Sequence, residues 1–80
     1  MHEIGVAQER LDKARAEAAN HGASRVTSIQ IKLGRASGIE AEHLQLCLEV
    51  LTRDTAAASA RIEIEEIEDS HIYLCGLEVE

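Results

Sequence analysis

The spacing of apolar residues divides the chain into five regular segments. In the first, residues 4–19, apolar side chains recur every three or four positions, which predicts a helix with one buried face. That face consists of Ile4, Ala7, Leu11, Ala14 and Ala18. Gly22 follows the segment and is predicted to end the helix, because glycine readily adopts the left-handed conformation that closes a helix.

The second segment, residues 25–33, alternates apolar and polar side chains and therefore predicts a strand with one buried and one solvated face. The face predicted to be buried carries Thr27, Ile29, Ile31 and Leu33, and the other carries Ser28, Gln30 and Lys32. Gly34 is predicted to end the strand.

A second helix is predicted from residue 39 or 40 to residue 51. Ser37 and Glu40 have the spacing of a capping box, which marks the start of a helix. The apolar stripe is wide, so we expect this helix to be the most buried element. The stripe consists of Leu44, Leu46, Cys47, Leu48, Val50 and Leu51. Residues 52–59 are predicted to form a loop.

Two further strands are predicted at residues 61–67 and 71–80. In the first of them Ile62 and Ile64 alternate with charged residues. In the second, the apolar residues Ile72 and Leu74 occupy even-numbered positions, whereas Leu77 and Val79, after Gly76, occupy odd-numbered ones. This change of face predicts a bulge at Cys75-Gly76. Only the turn around Asp69-Ser70 separates these two strands, and so short a connection favours their antiparallel pairing.

The predicted fold class is α/β, in the form of a two-layer α+β domain with the order α-β-α-β-β. Residues 1–80 form one domain, in which two helices cover one face of a three-stranded mixed sheet and a right-handed crossover joins two parallel strands. The other face is predicted to be charged and solvated, or alternatively to dock another subunit. It carries Gln30, Lys32, Glu63, Glu65, Glu78 and Glu80. The exposed sheet edges also invite pairing with a second copy as a homodimer.

Charge and composition narrow the possible partners and the compartment. The net charge is −7, which argues against nucleic acid and against an anionic membrane surface. No signal peptide or membrane-spanning run is visible, so we expect a cytoplasmic protein. Cys47 and Cys75 form no CxxC pair, and each is predicted to be a reduced thiol that fills core volume.

The opening tripeptide Met1-His2-Glu3 contains a ready-made chelator. The α-amine of Met1, the amide nitrogen of His2 and the imidazole of His2 can bind one ion in two fused chelate rings. Nitrogen-rich tetragonal sites favour Ni(II) and Cu(II), and both ions can promote loss of the amide proton. Glu3 or a partner would supply the fourth ligand. From the residues alone, an equally good interpretation is that His2 follows the initiating methionine by chance.

The other histidines are weaker candidates for metal ligands. His21 is predicted to lie at a helix end, where a histidine suits the helix dipole. His43 and His71 are predicted to be solvated surface residues. No nucleophile and base are spaced for catalysis, so we do not expect an enzyme.

Several short motifs, in order along the chain, resemble one family. They are Met1-His2-Glu3, His21-Gly22-Ala23 with Val26, Leu33-Gly34-Arg35 with Ser37-Gly38, Leu51-Thr52 with Thr55, the run from Ile62 to Glu66, and Leu77-Glu78-Val79-Glu80. Together they resemble the HypA/HybF family of hydrogenase nickel-incorporation proteins. The resemblance implies nickel at Met1, His2 and Glu3, and as partners a [NiFe] hydrogenase large subunit and a nickel-handling GTPase.

The sequence departs from that family at one place. The family carries a zinc ribbon with two CxxC pairs between its last two strands, whereas Glu68-Asp69-Ser70 stands at that position in this chain. We therefore expect no zinc-binding domain and no zinc, which puts the GTPase contact in doubt. The resemblance favours a nickel metallochaperone. The alternative is a non-metal adaptor or assembly subunit that keeps the docking fold.

Overall fold

The computed structural model describes residues 3–80, and the side chains of residues 4–80. It contains two helices and three strands in the predicted order, and most boundaries fall within one or two residues of the prediction. The elements are α1 (Glu3–Asn20), β1 (Val26–Gly34), a short 3₁₀ helix (Arg35–Ser37), α2 (Ala41–Leu51), β2 (Arg61–Ile67) and β3 (Ile72–Val79). Neither helix within residues 3–80 is long and apolar enough to cross a membrane.

Helix α1 buries the face that its periodicity predicts, which consists mainly of alanines. Ala7, Leu11, Ala14 and Ala18 all lie in the core, and alanines allow a neighbouring element to approach the helix backbone closely. Ile4 was predicted on the same face, but it is 62% exposed. It lies in the first turn of α1, one turn before the first core residue, Ala7.

The sheet has the strand order β2-β1-β3, so the predicted hairpin between the last two strands is wrong. Strand β1 lies in the middle, parallel to β2 as predicted and antiparallel to β3. Strand β1 lies in the middle because it is the most buried of the three strands. Ile29, Ile31 and Leu33 of β1 are each at most 1% exposed, whereas β2 carries charged residues that suit an edge strand.

The link between β2 and β3 has to cross the end of β1, and Gly34 makes this crossing possible. The N–H of Gly34 donates to the carbonyl of His71 at 2.9 Å, and the N–H of Ala36 donates to the carbonyl of Asp69 at 3.0 Å. A Cβ atom on residue 34 would lie only 2.3 Å from the Asp69 carbonyl oxygen. The glycine is therefore required by close backbone approach, and β1 ends at it, as predicted.

Helix α2 differs from the prediction at its start and in its burial. The capping box does not form: the Ser37 hydroxyl accepts the N–H of Ile39 at 3.3 Å, and Glu40 caps the helix without a side-chain hydrogen bond. Only Leu44 and Leu48 of its stripe are buried, and Leu46 and Val50 are 58% and 51% exposed. The most buried element is thus β1. Residues 52–59 form the predicted loop, as a series of turns.

The bulge predicted in the last strand is confirmed. Gln30 pairs with Gly76 and Ile31 pairs with Leu74, which leaves Cys75 as the extra residue of β3. This extra residue changes which positions of β3 face the core. Leu74 and Leu77 consequently both pack against the core, although they are three positions apart.

The face of the sheet away from the helices is exposed and largely charged, as predicted for a solvated face. Lys32 is paired with Glu65 on β2 and with Tyr73 on β3, so its positive charge lies between an acid and a phenol ring. Gln30 is half-buried, and its amide donates to the Ser28 hydroxyl at 2.6 Å. The alternative that this face docks another subunit stays a prediction.

Replacing Gly34 with alanine is expected to destabilise the protein, because the new methyl group would collide with the backbone of the crossing link. Overpacking of this kind typically costs about 1–3 kcal/mol, and urea denaturation measures it as a lower midpoint. Gly5→Ala is the matched control: a Cβ at Gly5 meets nothing within 4 Å, and the helix should gain about 0.5–1 kcal/mol. Equal midpoints for the two variants would contradict the proposed role of Gly34.

Candidate metal site

Helix α1 runs alongside β3 in the same direction, which fixes where its first turn lies. The Arg10 guanidinium donates to the carbonyl of Ile72 at 3.0 Å, near the start of β3. Just after α1, the N–H of Ser24 donates to the carbonyl of Glu80, beyond the end of β3. The first turn of α1 therefore points to the end of the sheet where the link between β2 and β3 crosses β1.

The predicted nickel ligands lie at the start of this helix. Met1 and His2, and the side chain of Glu3, lie outside the described residues, so the assignment of a site to them stays a prediction. Glu3 is the first residue of α1. The first N–H groups of a helix have no carbonyl of the same helix to bind, so the Glu3 amide is not committed to the helix ladder.

The other three histidines lie apart from one another. The backbone N–H of His21 closes the last turn of α1 on the carbonyls of Glu17 and Ala18, at 3.2 and 3.1 Å. The imidazole of His43 is exposed and lies 3.2 Å from a carboxylate oxygen of Glu40. His71 is exposed as well, which agrees with the surface role predicted for both. Within the described part of the chain, no three His, Cys, Asp or Glu side chains are grouped to hold a metal ion.

Asp69 organises a polar cluster that the sequence did not reveal. One carboxylate oxygen accepts the backbone N–H groups of Ser70 and His71, at 2.6 and 3.0 Å, and lies 3.2 Å from Nδ1 of His71. The other oxygen accepts the Tyr73 hydroxyl at 2.8 Å. These bonds hold the crossing link in its turn. The available signal was an aspartate opening a tight turn, followed at alternate positions by His71 and Tyr73.

The cluster shifts two proton equilibria. The hydrogen bond from Tyr73, followed by the bond from the Ser70 amide, lowers the pKa of Asp69 from 3.8 to about 2. The same hydrogen bond is the largest cause of a rise in the pKa of Tyr73 above its ordinary value of 10.0. The carboxylate and the protonated phenol thus stabilise each other across the whole neutral range.

The two cysteines have different environments, and both are free thiols. Cys47 is half-buried and packs against the core, as predicted. Cys75 was also predicted to fill core volume, but it is exposed, because it is the extra residue of the bulge in β3. Its thiol lies 3.4 Å from the Gln30 carbonyl oxygen, to which it donates.

Comparison with known proteins identifies the family. Residues 1–79 match the family model HypA, described as hydrogenase/urease nickel incorporation, metallochaperone. The hydrogenase maturation factor HypA of Chlorobaculum parvum is 40% identical over 68 residues, which are 85% of this chain and 60% of that protein. The chain belongs to the HypA family.

Other HypA proteins support this assignment. HypA of Escherichia coli is 37% identical over 68 residues, which are 85% of this chain and 59% of that protein. The solution structure of the Ni metallochaperone HypA from Helicobacter pylori has the same fold, with a TM-score of 0.77 at 15% identity over 95% of this chain and 72% of that chain. The chain thus spans about 60% of the length of the curated HypA proteins that it matches.

The Asp69 cluster makes stability depend on pH at both extremes. The folded-state pKa of Asp69 is lowered, so its contribution is present above the unfolded value of 3.8 and is lost as the pH falls towards about 2. The folded-state pKa of Tyr73 is raised, so its contribution is present below 10.0 and is lost at higher pH. Carboxyl NMR titration of Tyr73→Phe should show the pKa of Asp69 moving back towards 3.8. An unchanged pKa would show that the phenol is not the main cause.

Proposed function

We propose that this chain is the nickel-binding part of a HypA-type metallochaperone, which holds Ni(II) at Met1, His2 and Glu3 during [NiFe] hydrogenase maturation. The observation that carries the proposal is the family match, which extends over residues 1–79 and therefore includes the tripeptide. Nickel is the cargo of such a protein, and no chemical conversion by the chain itself is required.

The tripeptide suits Ni(II) for reasons of ligand chemistry. When Met1 carries a free α-amine, that amine, the His2 amide and the His2 imidazole provide three nitrogen donors in a plane. Loss of the amide proton favours Ni(II) and Cu(II) over Zn(II), because strong-field nitrogen donors stabilise a square-planar arrangement of these ions. The fourth position goes to Glu3, through its amide nitrogen or its carboxylate, or to a ligand from the receiving protein.

The start of α1 at Glu3 affects the charge that the site can carry. A helix N-terminus has a partial positive charge and therefore disfavours a bound cation. A divalent ion with one deprotonated amide keeps one positive charge, whereas two deprotonated amides neutralise it. The helix dipole thus supports the Glu3 amide as the fourth donor, and this amide is not required for the hydrogen bonds of the helix.

The proposed partners follow from the family. A hydrogenase large subunit would receive the nickel, and a nickel-handling GTPase would act as a co-chaperone. In this chain the link between β2 and β3 is short and crosses β1 directly. The resemblance to the HypA/HybF family implies a zinc ribbon at this position. We therefore propose a protein that binds no zinc through these residues and whose contact with the GTPase is reduced.

Nickel titration tests the proposal on protein that begins at Met1 with a free amine. We expect binding on the order of micromolar affinity and a visible absorption band of square-planar Ni(II). His2→Ala should abolish both, because it removes the imidazole. A form extended by residues before Met1 should also abolish both, because it converts the terminal amine into an amide.

His71→Ala and His43→Ala are matched controls, since each removes one exposed imidazole elsewhere in the chain. Both should bind nickel as the parent protein does. Equal binding by the parent, His2→Ala and the extended form would overturn the tripeptide site.

The second candidate function is an adaptor that docks a protein partner without carrying metal. Its support is that the apolar side chains of Leu46 and Val50, one turn apart on α2, are both exposed and could contact a partner. The same titration separates the two functions, because an adaptor predicts that none of the forms binds nickel at its terminus.

A further inference from the structure

Strand β2 forms an open edge of the sheet. It bonds only to β1, and no other strand of residues 3–80 lies on its far side. A strand directs its backbone N–H and C=O groups to both sides, so part of the β2 backbone points away from β1 and is left without a strand partner. Such an edge is a template to which an extended segment of another protein can add as a further strand.

The β2 edge is also the more regular of the two edges. Strand β2 pairs with β1 over seven consecutive residues, from Arg61 to Ile67, with no shift of register. Strand β3, at the other edge, is interrupted by the bulge at Cys75. Because a bulge bends a strand and breaks its ladder of hydrogen bonds, β2 offers the longer uninterrupted template.

A groove lies between β2 and the neighbouring flank of α2. Its volume is about 420 Å³, and Ile64 of β2 and Ala41, Glu42, Gln45 and Leu46 of α2 line it. Ile64 is half-buried and Leu46 is exposed, so apolar surface remains uncovered in the groove. If a strand were added beside β2, its side chains on the helix side would enter this groove, where apolar groups would contact Ile64 and Leu46.

The groove leads into a second hollow with acidic walls. Ala41 and Glu42 line both, and the second hollow also contains Glu40 and Glu66. Arg35 lies there as well, but its guanidinium is paired with Glu68. Within residues 4–80, the carboxylates of Glu42 and Glu66 form no ion pair.

Acidic side chains flank the groove on both the strand side and the helix side. Glu63 and Glu65 are exposed on the face of β2 away from the helices. On α2, the carboxylate of Glu49 accepts the amide of Gln45 at 3.0 Å, which places it beside the groove. An added strand would therefore meet carboxylates on both of its faces.

Only two cations lie close to these acids on the sheet. Arg61 is 3.7 Å from a carboxylate oxygen of Glu63, and Lys32 of β1 is paired in register with Glu65. On the helix side Glu42 and Glu49 have no such neighbour in the described part of the chain. The acids thus outnumber the cations, and the edge repels another acidic strand but attracts a basic one.

We propose that the β2 edge and the groove beside α2 bind an extended basic segment of a partner protein, in which Lys or Arg alternates with apolar side chains. The segment adds to the sheet as a fourth strand. Its apolar side chains enter the groove over Ile64 and Leu46, and its basic side chains lie opposite Glu63 and Glu65 on the other face. The alternation follows from the period of a strand, whose successive side chains point to opposite faces.

This proposal gives a chemical class to the partner of the second candidate function, because Leu46 belongs to the groove. It does not depend on nickel at the N-terminus. Nickel titration and peptide binding can therefore fail independently of each other.

Peptide binding tests the proposal directly, by fluorescence anisotropy of a dye-labelled peptide with blocked ends. The probe has about eight residues, the length of a strand, and alternates lysine with valine. We expect saturable binding to the full chain that weakens as salt is added, because exposed charges contribute to it. A peptide that does not bind would overturn the proposal.

Three control peptides separate strand pairing from simple charge attraction. A valine–glutamate peptide should not bind, because the groove repels it. A peptide of the same composition with its lysines in one block cannot place lysine on one face and valine on the other. The alternating peptide with N-methyl groups at its central residues loses the backbone donors that pair with β2. The last two should bind at least about tenfold more weakly, and equal binding by either would contradict strand addition.

Protein variants test the position of the bound peptide. The double variant Glu63→Gln/Glu65→Gln should raise the dissociation constant by on the order of tenfold, since two ion pairs are lost. Glu17→Gln/Glu78→Gln is the matched control, because it removes two exposed acids from α1 and β3 and lowers the net charge equally. Equal weakening in both variants would show attraction to the whole chain and overturn the site.

Leu46→Gln tests the apolar part of the groove, and Ile4→Gln is its control on α1, where the side chain is equally exposed. Only Leu46→Gln should weaken binding, by several-fold, because only Leu46 lies in the groove. Circular dichroism establishes that each variant is folded.

Backbone amide hydrogen exchange provides an independent measurement. The bound lysine–valine peptide should slow exchange in β2 and leave β3 unchanged. Protection in β3 instead, or a gain of helix in the peptide on binding, would contradict the proposed strand addition at β2.

Discussion

The crossing of the β2–β3 link over the end of β1 is the contact on which the sheet topology depends. The chain leaves β2 at Ile67 and returns as β3 at Ile72 on the far side of β1, and the space for this passage exists because residue 34 has no side chain. Hydrogen bonds from Gly34 and Ala36 to the link satisfy its backbone. Asp69 then holds the turn from within. One glycine and one carboxylate thus allow the most buried strand to occupy the centre.

The same crossing explains why the elements were predictable from the sequence and one of the pairings was not. Periodicity located each helix and strand because burial imposes a repeat on each element separately. Strand pairing depends instead on which strand has both edges covered. The short link favoured a hairpin, but a hairpin between β2 and β3 would have placed the buried β1 at an edge. The burial of most of β1, including Ser28 at 1% exposure, marks it as the central strand in the structure. The alternating sequence of β1 had indicated a solvated face and carried no such signal.

The candidate nickel site stays a prediction, and it could be proposed from the sequence for a different reason. Its proposed donors are a terminal amine, one or two backbone amides and a single imidazole, so it would need no cluster of side chains brought together by the fold. Residues 4–80 contribute a helix that begins at Glu3, whose first N–H groups are left without helical partners. The Asp69 cluster could not be foreseen in the same way, because its bonds depend on the path of the link and not on any repeat in the sequence.

The exposed residues of α2 and β3 show where local pattern and tertiary structure disagree. A stripe of six apolar residues on α2 implied deep burial, yet α1 and the sheet together cover only Leu44 and Leu48 fully. The small alanines of α1 let the two helices pack closely, and a narrow contact leaves Leu46 and Val50 outside it. On β3 the bulge turns Leu77 inward but leaves Val79 and Cys75 exposed at the edge. Apolar side chains that this domain does not bury therefore remain at two separate places, on α2 and at the β3 edge.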